Sequence, residues 1–508
     1  MKFELMRREI PMKNYMYKML TPAIMIALLA GCTVGPDYKR STVPAVATYT
    51  TTPFTEETSS AATTLGESQR LIKGGSVNPQ WWQEFGSDGL DTLIDDALKS
   101  SPTLAGAEAT LRQAREGYAA RAGSTLYPQA EVNLNSQRQR FNPNSSGLTG
   151  DVREFDLFNA SVGVHYNLDL TGGNRRALEA LAAHIDYQRY QLEGAQLTLV
   201  SNIVNTAITQ ARIVAQMQAT EAILHAQEKQ LVLTGERVRL GQAAPNEVLP
   251  LQTQVEQTRA GIPLLRNQFQ QSEHLLAVLA GRAPGAGGLP TFRLLEFTLP
   301  ATLPLIIPSE LVHARPDIQA AEALLHAANA EYGVAIARLY PQLNLSANLG
   351  SQALTTGALF GSGSTIWNLV GQLTQPLFNP GLPAEKRAAL AAFDAATANY
   401  QNVVLEALRN VADVLRSLEN DAQRLTALTV ANAAAQGSLA SVQRQYQLGS
   451  ASYLHLLIAQ QQAQRTRIDL IAARAQRLVD SVVFYQALGG GRSGDGEALA
   501  GSSPTYPR

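Results

Sequence analysis

The sequence predicts an α+β membrane protein in which one unit is present twice, each copy holding two amphipathic strands and a long helical hairpin. Three observations predict it. Self-similarity recurs at an offset of about 210 residues, too long a period for a solenoid repeat. Four segments alternate apolar and polar side chains, as strands with one apolar face do. Two stretches of roughly 65 residues lack proline, enough for helical rods of about 100 Å.

At the N-terminus, Lys2, Arg7, Arg8, Lys13 and Lys18 form a basic leader. Residues 20–30 follow as an apolar run of signal-peptide length, ending in Leu29-Ala30-Gly31-Cys32. Both Met1 and Met12 are open as the start. The Leu-Ala-Gly-Cys run resembles a bacterial lipobox, in which the cysteine is lipidated and becomes the first mature residue. Each buried methylene of such a lipid contributes ~0.8 kcal/mol, so several chains anchor stably. Thr33 after the cysteine implies, by the same resemblance, the outer membrane.

The first copy of the unit reads Ser101-Pro102, Ala107-Glu108-Ala109, Tyr118 and Tyr127-Pro128-Gln129. The second reads Arg315-Pro316, Ala321-Glu322-Ala323, Tyr332 and Tyr340-Pro341-Gln342. Leu240-Gly241 matches Leu448-Gly449 further on. Proline at a first helical turn loses no hydrogen bond, so helices are expected over 102–124 and 316–338.

The strands come next. Ala130, Val132 and Leu134 alternate with Gln129, Glu131, Asn133 and Asn135. Phe158, Ala160, Val162, Val164, Tyr166, Leu168 and Leu170 alternate with Asn159, Ser161, Gly163, His165, Asn167 and Asp169. Leu343, Leu345, Ala347 and Leu349 repeat the pattern, as do Trp367, Leu369, Leu373 and Leu377. Segments of about ten residues with one apolar face suit a transmembrane barrel; a soluble sandwich is the other reading of the same alternation. The long Asn/Gly/Ser-rich loops near 141–155 and 351–364 suit an exposed rim.

The long helices show heptad spacing, at Met217, Leu224, Leu231 and Val238 and at Val404, Val411, Leu418 and Leu425. That is packing-seam spacing. After Gly241 and Gly449 the chain turns back, so each repeat is a hairpin with its tip at those glycines. The expected boundaries are a signal peptide with lipobox at 1–31, a lipidated extended segment at 32–88, repeat 1 at 89–298, repeat 2 at 299–488 and a disordered tail at 489–508. The repeat strands are expected at about 127–170 and 340–378.

Composition narrows the function. The 508 residues carry 41 Lys+Arg against 42 Asp+Glu, without the basic excess of a nucleic-acid binder. One cysteine excludes a disulfide framework or a cysteine zinc site. After residue 31 there is no run of 18 apolar residues, which excludes a polytopic helical membrane protein. No phosphate loop, metalloprotease motif or nucleophile elbow occurs, so neither an enzyme nor a cofactor beyond a lipid on Cys32 is expected. Four strands cannot close a barrel, and open edges cannot face lipid. Three copies give twelve strands around a pore, a trimer. A lipid-anchored adaptor or coiled-coil scaffold is the alternative, though four amphipathic strands and two full hairpins per chain are foreign to it.

The chain resembles the TolC-like outer-membrane factors of tripartite efflux pumps, in their lipoprotein branch. The resemblance spans nearly all of the mature chain. It is carried by Gly31-Cys32-Thr33-Val34-Gly35-Pro36-Asp37-Tyr38, by Trp81-Trp82 with Phe85, Leu90, Leu93 and Ile94, and by the paired Tyr-Pro-Gln and Leu-Gly motifs. It implies a twelve-stranded barrel continued by a periplasmic α-helical barrel, in the outer membrane of a Gram-negative bacterium. The implied partners are two further copies, outer-membrane lipid, a periplasmic adaptor and an inner-membrane transporter. The implied role is a passive exit duct for drugs or other small molecules. It places a periplasmic gate at the tips, where Glu247 takes the position of a gate-lining acid. The equivalent place in the second copy holds His455, and Ile458 stands where many relatives carry Asp. Tyr446 matches a tyrosine that tethers neighbouring hairpins. Glu247 and His455 are expected to line the narrowest ring, with a pH response carried by the histidine. Leu240, Gly241, Leu448 and Gly449 are expected to dock the adaptor.

Overall fold

The computed structural model describes residues 33–40, 48–147 and 149–491. In chain order its elements are β1 (Arg70–Lys73), α1 (Asp88–Ser100), α2 (Pro102–Leu126), β2 (Gln129–Phe141), β3 (Arg153–Leu168), α3 (Gly173–Arg239), α4 (Val248–Leu279), β4 (Thr302–Leu305), α5 (Pro308–Ala314), α6 (Pro316–Ala337), β5 (Gln342–Ala353), β6 (Thr365–Thr374), α7 (Gly381–Gln447) and α8 (Tyr453–Ala487). They form two compact units, one within residues 1–41, 112–186 and 322–398, the other within 42–111, 187–321 and 399–508. The expected signal peptide and lipobox, Cys32 included, lie outside the described residues.

The first unit is organised by an antiparallel sheet in the order β2-β3-β5-β6. Its register pairs Val132 with Val162, Val162 with Leu349 and Leu349 with Trp367, so the apolar parity of all four strands falls on one face. Asn133, Ser161 and Gly350 make one row of the opposite face. The last strand stops at Thr374, short of the expected 378. Pro376 follows, and it has no N–H to donate to a ladder. The residues after the lipobox pack in this same unit. The Val34 N–H donates to Thr171 O at 2.9 Å, just past the end of β3. Arg176, almost wholly buried, bridges Asp37 at 2.5 Å and Glu179 at 2.7 Å. Glu179 also lies 2.9 Å from His326 Nε2, and Tyr38 stacks on that imidazole at 4.4 Å. The Gly-Pro-Asp-Tyr run is thus a latch onto this unit, with Asp37 and Tyr38 as its contacts.

The second unit has its core where the extended N-terminal segment meets α8. Trp81 stacks on Tyr485 at 5.2 Å, and the Tyr485 hydroxyl donates to Glu84 Oε2 at 2.6 Å. Trp82, Phe85, Leu90, Leu93 and Ile94 are buried around them. Segment 56–73 is tied down by buried polar groups. Arg477, 1% exposed, donates to Glu67 O at 2.8 Å, Gln69 Oε1 at 3.1 Å, Leu65 O at 3.2 Å and Thr58 Oγ1 at 3.2 Å. The Gln69 amide donates in turn to Pro300 O and Ser481 Oγ. The four-residue β1 then pairs in parallel with β4.

The seam of α7 lies where the heptads put it: Val404, Val411, Leu418 and Leu425 are buried. The seam of α3 does not. Met217, Leu224, Leu231 and Val238 are only half-buried. The buried heptad is Thr206, Ile213, Thr220, Gln227 and Thr234. Threonine fits there because its hydroxyl can return to its own helix, as the Thr220 Oγ1 does to Gln216 O at 2.7 Å.

Residues 489–491, expected in a disordered tail, are ordered parts of the structure. Gly489 and Gly490 close α8, their N–H groups donating to Gln486 O and Tyr485 O. Gly281 and Arg282 end α4 in the same way, on Val278 O and Ala277 O. These two stops sit at matching positions of the repeat and share a close approach. A Cβ on Gly281 would lie 2.5 Å from Ser100 O, and one on Gly489 2.5 Å from Ala314 O. Residues 492–508 lie outside the described residues.

Candidate functional site: the hairpin tips

Both tips are built by one capping device. The Gly241 N–H donates to Val238 O and the Gln242 N–H to Arg237 O. The Gly449 N–H donates to Tyr446 O and the Ser450 N–H to Gln445 O. This is the Schellman pattern, which needs left-handed backbone at the stop residue, and both glycines supply it at φ 71° and 76°. Open space surrounds each glycine. Leu240 and Leu448 are exposed beside them, as are Leu249 and Leu454 on the returning helices. The docking residues expected from the sequence therefore form apolar, solvent-facing corners.

The return differs between the copies. In the first, a 3₁₀ turn, Pro245–Glu247, leads into α4. In the second, Ser452 caps α8, its Oγ accepting from the His455 N–H at 3.4 Å and lying 3.0 Å from His455 Nδ1.

The structure brings Glu247 and Tyr446 together across 199 positions of sequence. The Tyr446 hydroxyl donates to Glu247 Oε2 at 2.9 Å, tying the first hairpin to the second within one chain. Tyr446 is buried, with the Arg237 guanidinium 5.1 Å above its ring and the Tyr453 ring 6.3 Å away, edge-on. Burial raises the Tyr446 phenol above its ordinary value, and the bond to anionic Glu247 adds to this. The Thr234 hydroxyl, which accepts from the Gln230 amide at 3.3 Å, acts against the rise. Burial likewise pushes Tyr453 up to about 12, with Tyr446 and Glu247 adding smaller contributions. Both phenols are neutral at physiological pH, but only that of Tyr446 is hydrogen-bonded; the buried Tyr453 hydroxyl has no partner among the described residues.

His455 has other company. It is exposed and lines a groove of about 470 Å³ with Val442, Gln445 and Ile458, between the two helices of its own hairpin. Sequence reasoning did not single out Arg237, Thr234 or Tyr453. The signal for Tyr453 was its place, one position after the serine cap; Arg237 and Thr234 offered only helix-end positions.

Among the described residues, no group of three or more His, Cys, Asp or Glu side chains could hold a metal ion. No described helix is long and apolar enough to cross a membrane. The Tyr446–Glu247 bond holds the two hairpins of one chain together at the tips, beside exposed apolar corners.

Known proteins share this architecture. The outer-membrane channel OprN superposes with a TM-score of 0.82 at 26% identity, covering 91% of this chain and 99% of that one. The pyoverdine export outer membrane protein OpmQ of Pseudomonas aeruginosa is 31% identical over 83% of this chain and 89% of its own length. The probable efflux pump outer membrane protein TtgC of Pseudomonas putida is 30% identical over 93% of this chain and 95% of its own. The family model for outer membrane efflux proteins matches twice, once per repeat, over residues 93–282 and 307–490. The chain belongs to the outer membrane efflux protein family.

Proposed function

We propose that three copies of this chain form the outer-membrane exit channel of a tripartite export system. Each copy contributes four strands to a twelve-stranded barrel and two hairpins to a periplasmic helical tunnel. The observation that carries this is the sheet of the first unit. Its apolar face is bare: Leu134 is 78% exposed, Trp367 75% and Leu369 74%. Large apolar side chains gathered on one exposed face call for an apolar solvent or a partner. Its outer strands, β2 and β6, each pair on one side only. An open edge of this kind cannot face hydrocarbon, and ring closure with neighbouring copies removes it.

The channel is passive, moving small molecules handed on by an inner-membrane transporter through a periplasmic adaptor. Leu240, Gly241, Leu448 and Gly449 dock that adaptor. Glu247, His455 and Tyr446 belong to the gate, which the Tyr446–Glu247 bond helps to hold shut. A lipid on Cys32 anchors the chain. The hydrogen bond from Val34 to Thr171, beside the end of β3, supports a lipid inserting next to the strands.

The test is made on the purified full chain in detergent and in planar bilayers. A trimeric mass, heat-dependent migration on denaturing gels and stepwise conductance are expected. A stable monomer that conducts nothing would overturn the proposal.

A further inference from the structure

The polar face of the sheet is nearly free of charge. Gln, Asn, Ser and Thr dominate it on β2, β5 and β6, and on that face Glu131 is the one carboxylate among the described strand residues. His165 lies one row nearer the helices, opposite Gln129, and Arg153 lies at the far end, opposite Phe141. The pairing aligns Glu131 with Gly163, Asn348 and Asn368 in a single row across the sheet. Gly163 lies directly opposite it, and a Cβ there would be in ordinary contact with Glu131 Cγ at 3.5 Å. The Asn133 amide donates to Glu131 Oε1 at 3.2 Å and steadies the carboxylate without neutralising it. The rim carboxylates Glu154 and Asp156 have the opposite parity, on the face of Val162 and Val164. Glu154 there has Arg138 and Arg140 beside it.

We propose that three Glu131 side chains form a carboxylate ring inside the barrel, near its junction with the helices, and that this ring selects cationic solutes. The inference rests on the barrel reading. Charged side-chain rings are a general means of ion selection in pores. Twelve strands spaced ~4.8 Å and tilted ~40° close at a backbone radius of about 12 Å, and glutamate side chains reaching inward bring the carboxylates to about 7 Å from the axis. That is inside the ~10 Å screening length at 0.1 M salt, so an ion on the axis feels all three charges. With water's dielectric and that screening, monovalent cations are enriched there roughly fourfold and anions depleted to the same degree. Apart from Arg153 at the far end and His165 one row away, the face is uncharged, so the Glu131 row is its one acidic band.

The experiment is reversal-potential measurement in planar bilayers on the full chain, under a KCl gradient. It is run in a Tyr446→Phe, Glu247→Gln background, which removes the tip tie and the tip carboxylate. The parent is expected to prefer K⁺ over Cl⁻ several-fold. Glu131→Gln, nearly isosteric, is expected to bring the ratio close to one while the channel still conducts, and Glu131→Lys to reverse it. Unchanged selectivity in Glu131→Gln, with conductance intact, would overturn the inference while leaving the channel standing. Absence of conductance in the parent as well as the variants would instead overturn the channel reading, and the ring with it.

Discussion

Four glycines close the four hairpin helices, and the structure separates them into two kinds. Gly241, Gly281, Gly449 and Gly489 all have positive φ, between 70° and 90°. Alanine at any of them takes on a left-handed conformation that costs about 1–2 kcal/mol. At Gly241 and Gly449 that is the whole effect, because no atom lies within 4 Å of the added Cβ. At Gly281 the Cβ would meet Ser100 O at 2.5 Å and Ser100 C at 2.9 Å; at Gly489 it would meet Ala314 O at 2.5 Å and Ala314 C at 3.0 Å. Those are backbone atoms at the ends of α1 and α5, which cannot turn aside as a flexible side chain can. Overpacking of this kind adds about 1–3 kcal/mol, giving about 2–5 kcal/mol in all at the inner pair. Thermal melts of the four alanine variants, followed by helical circular dichroism in detergent, should fall into two classes, with the inner pair losing roughly twice as much stability. Equal losses at all four positions would refute the argument from close approach.

Arg477→Met should destabilise the chain by about 3–5 kcal/mol, because it strips four acceptors of their buried donor; protease cleavage within 56–73 should appear first, and its absence would count against the tie. Burial raises the Asp480 carboxyl to about 7, with the Gln476 amide opposing and Asp421 adding to the rise. A raised carboxyl favours the folded state while protonated, so this contribution is present at pH 4 and is lost as pH rises through about 7. Asp480→Asn should therefore flatten the decline in melting temperature across that window, and an unaltered profile would exclude Asp480 as its source. Tyr446→Phe removes one hydrogen bond to a carboxylate, worth about 1.5–3 kcal/mol; more frequent channel opening in bilayers is expected, and open probability equal to wild type would remove the bond from the gate.

Much of the fold was legible where a period governs the side chains. Alternation located the four strands because each has one apolar face, and the register turned that parity into a single continuous surface. The heptads of α7 were legible for the same reason. The seam of α3 was not, because four positions of its buried heptad are polar: Thr206, Thr220, Gln227 and Thr234. A search for apolar spacing finds the half-buried neighbours and passes over the buried polar ones. The short β1 and β4 escaped notice because Arg-Leu-Ile-Lys and Thr-Leu-Pro-Leu read as loop. At the tips, the Leu-Gly pairs announced the turns through backbone chemistry. The partner of Glu247 did not follow from the repeat: symmetry pointed to His455, whereas the carboxylate accepts its bond from Tyr446, which precedes its own tip glycine. Repeats report which positions are equivalent; contacts between the copies depend on how the hairpins pack.

The one-sided strands β2 and β6 also bear on inheritance. In the proposed ring of three, each chain's edge is completed by a neighbour, so a chain with a damaged edge spoils the assembly it enters. With equal amounts of intact and damaged chains mixing at random, only about one ring in eight is wholly intact. Lesions at the strand edges should then behave as dominant alleles. Lesions that keep a chain from reaching the membrane should be recessive, since the chains that arrive still find sound neighbours.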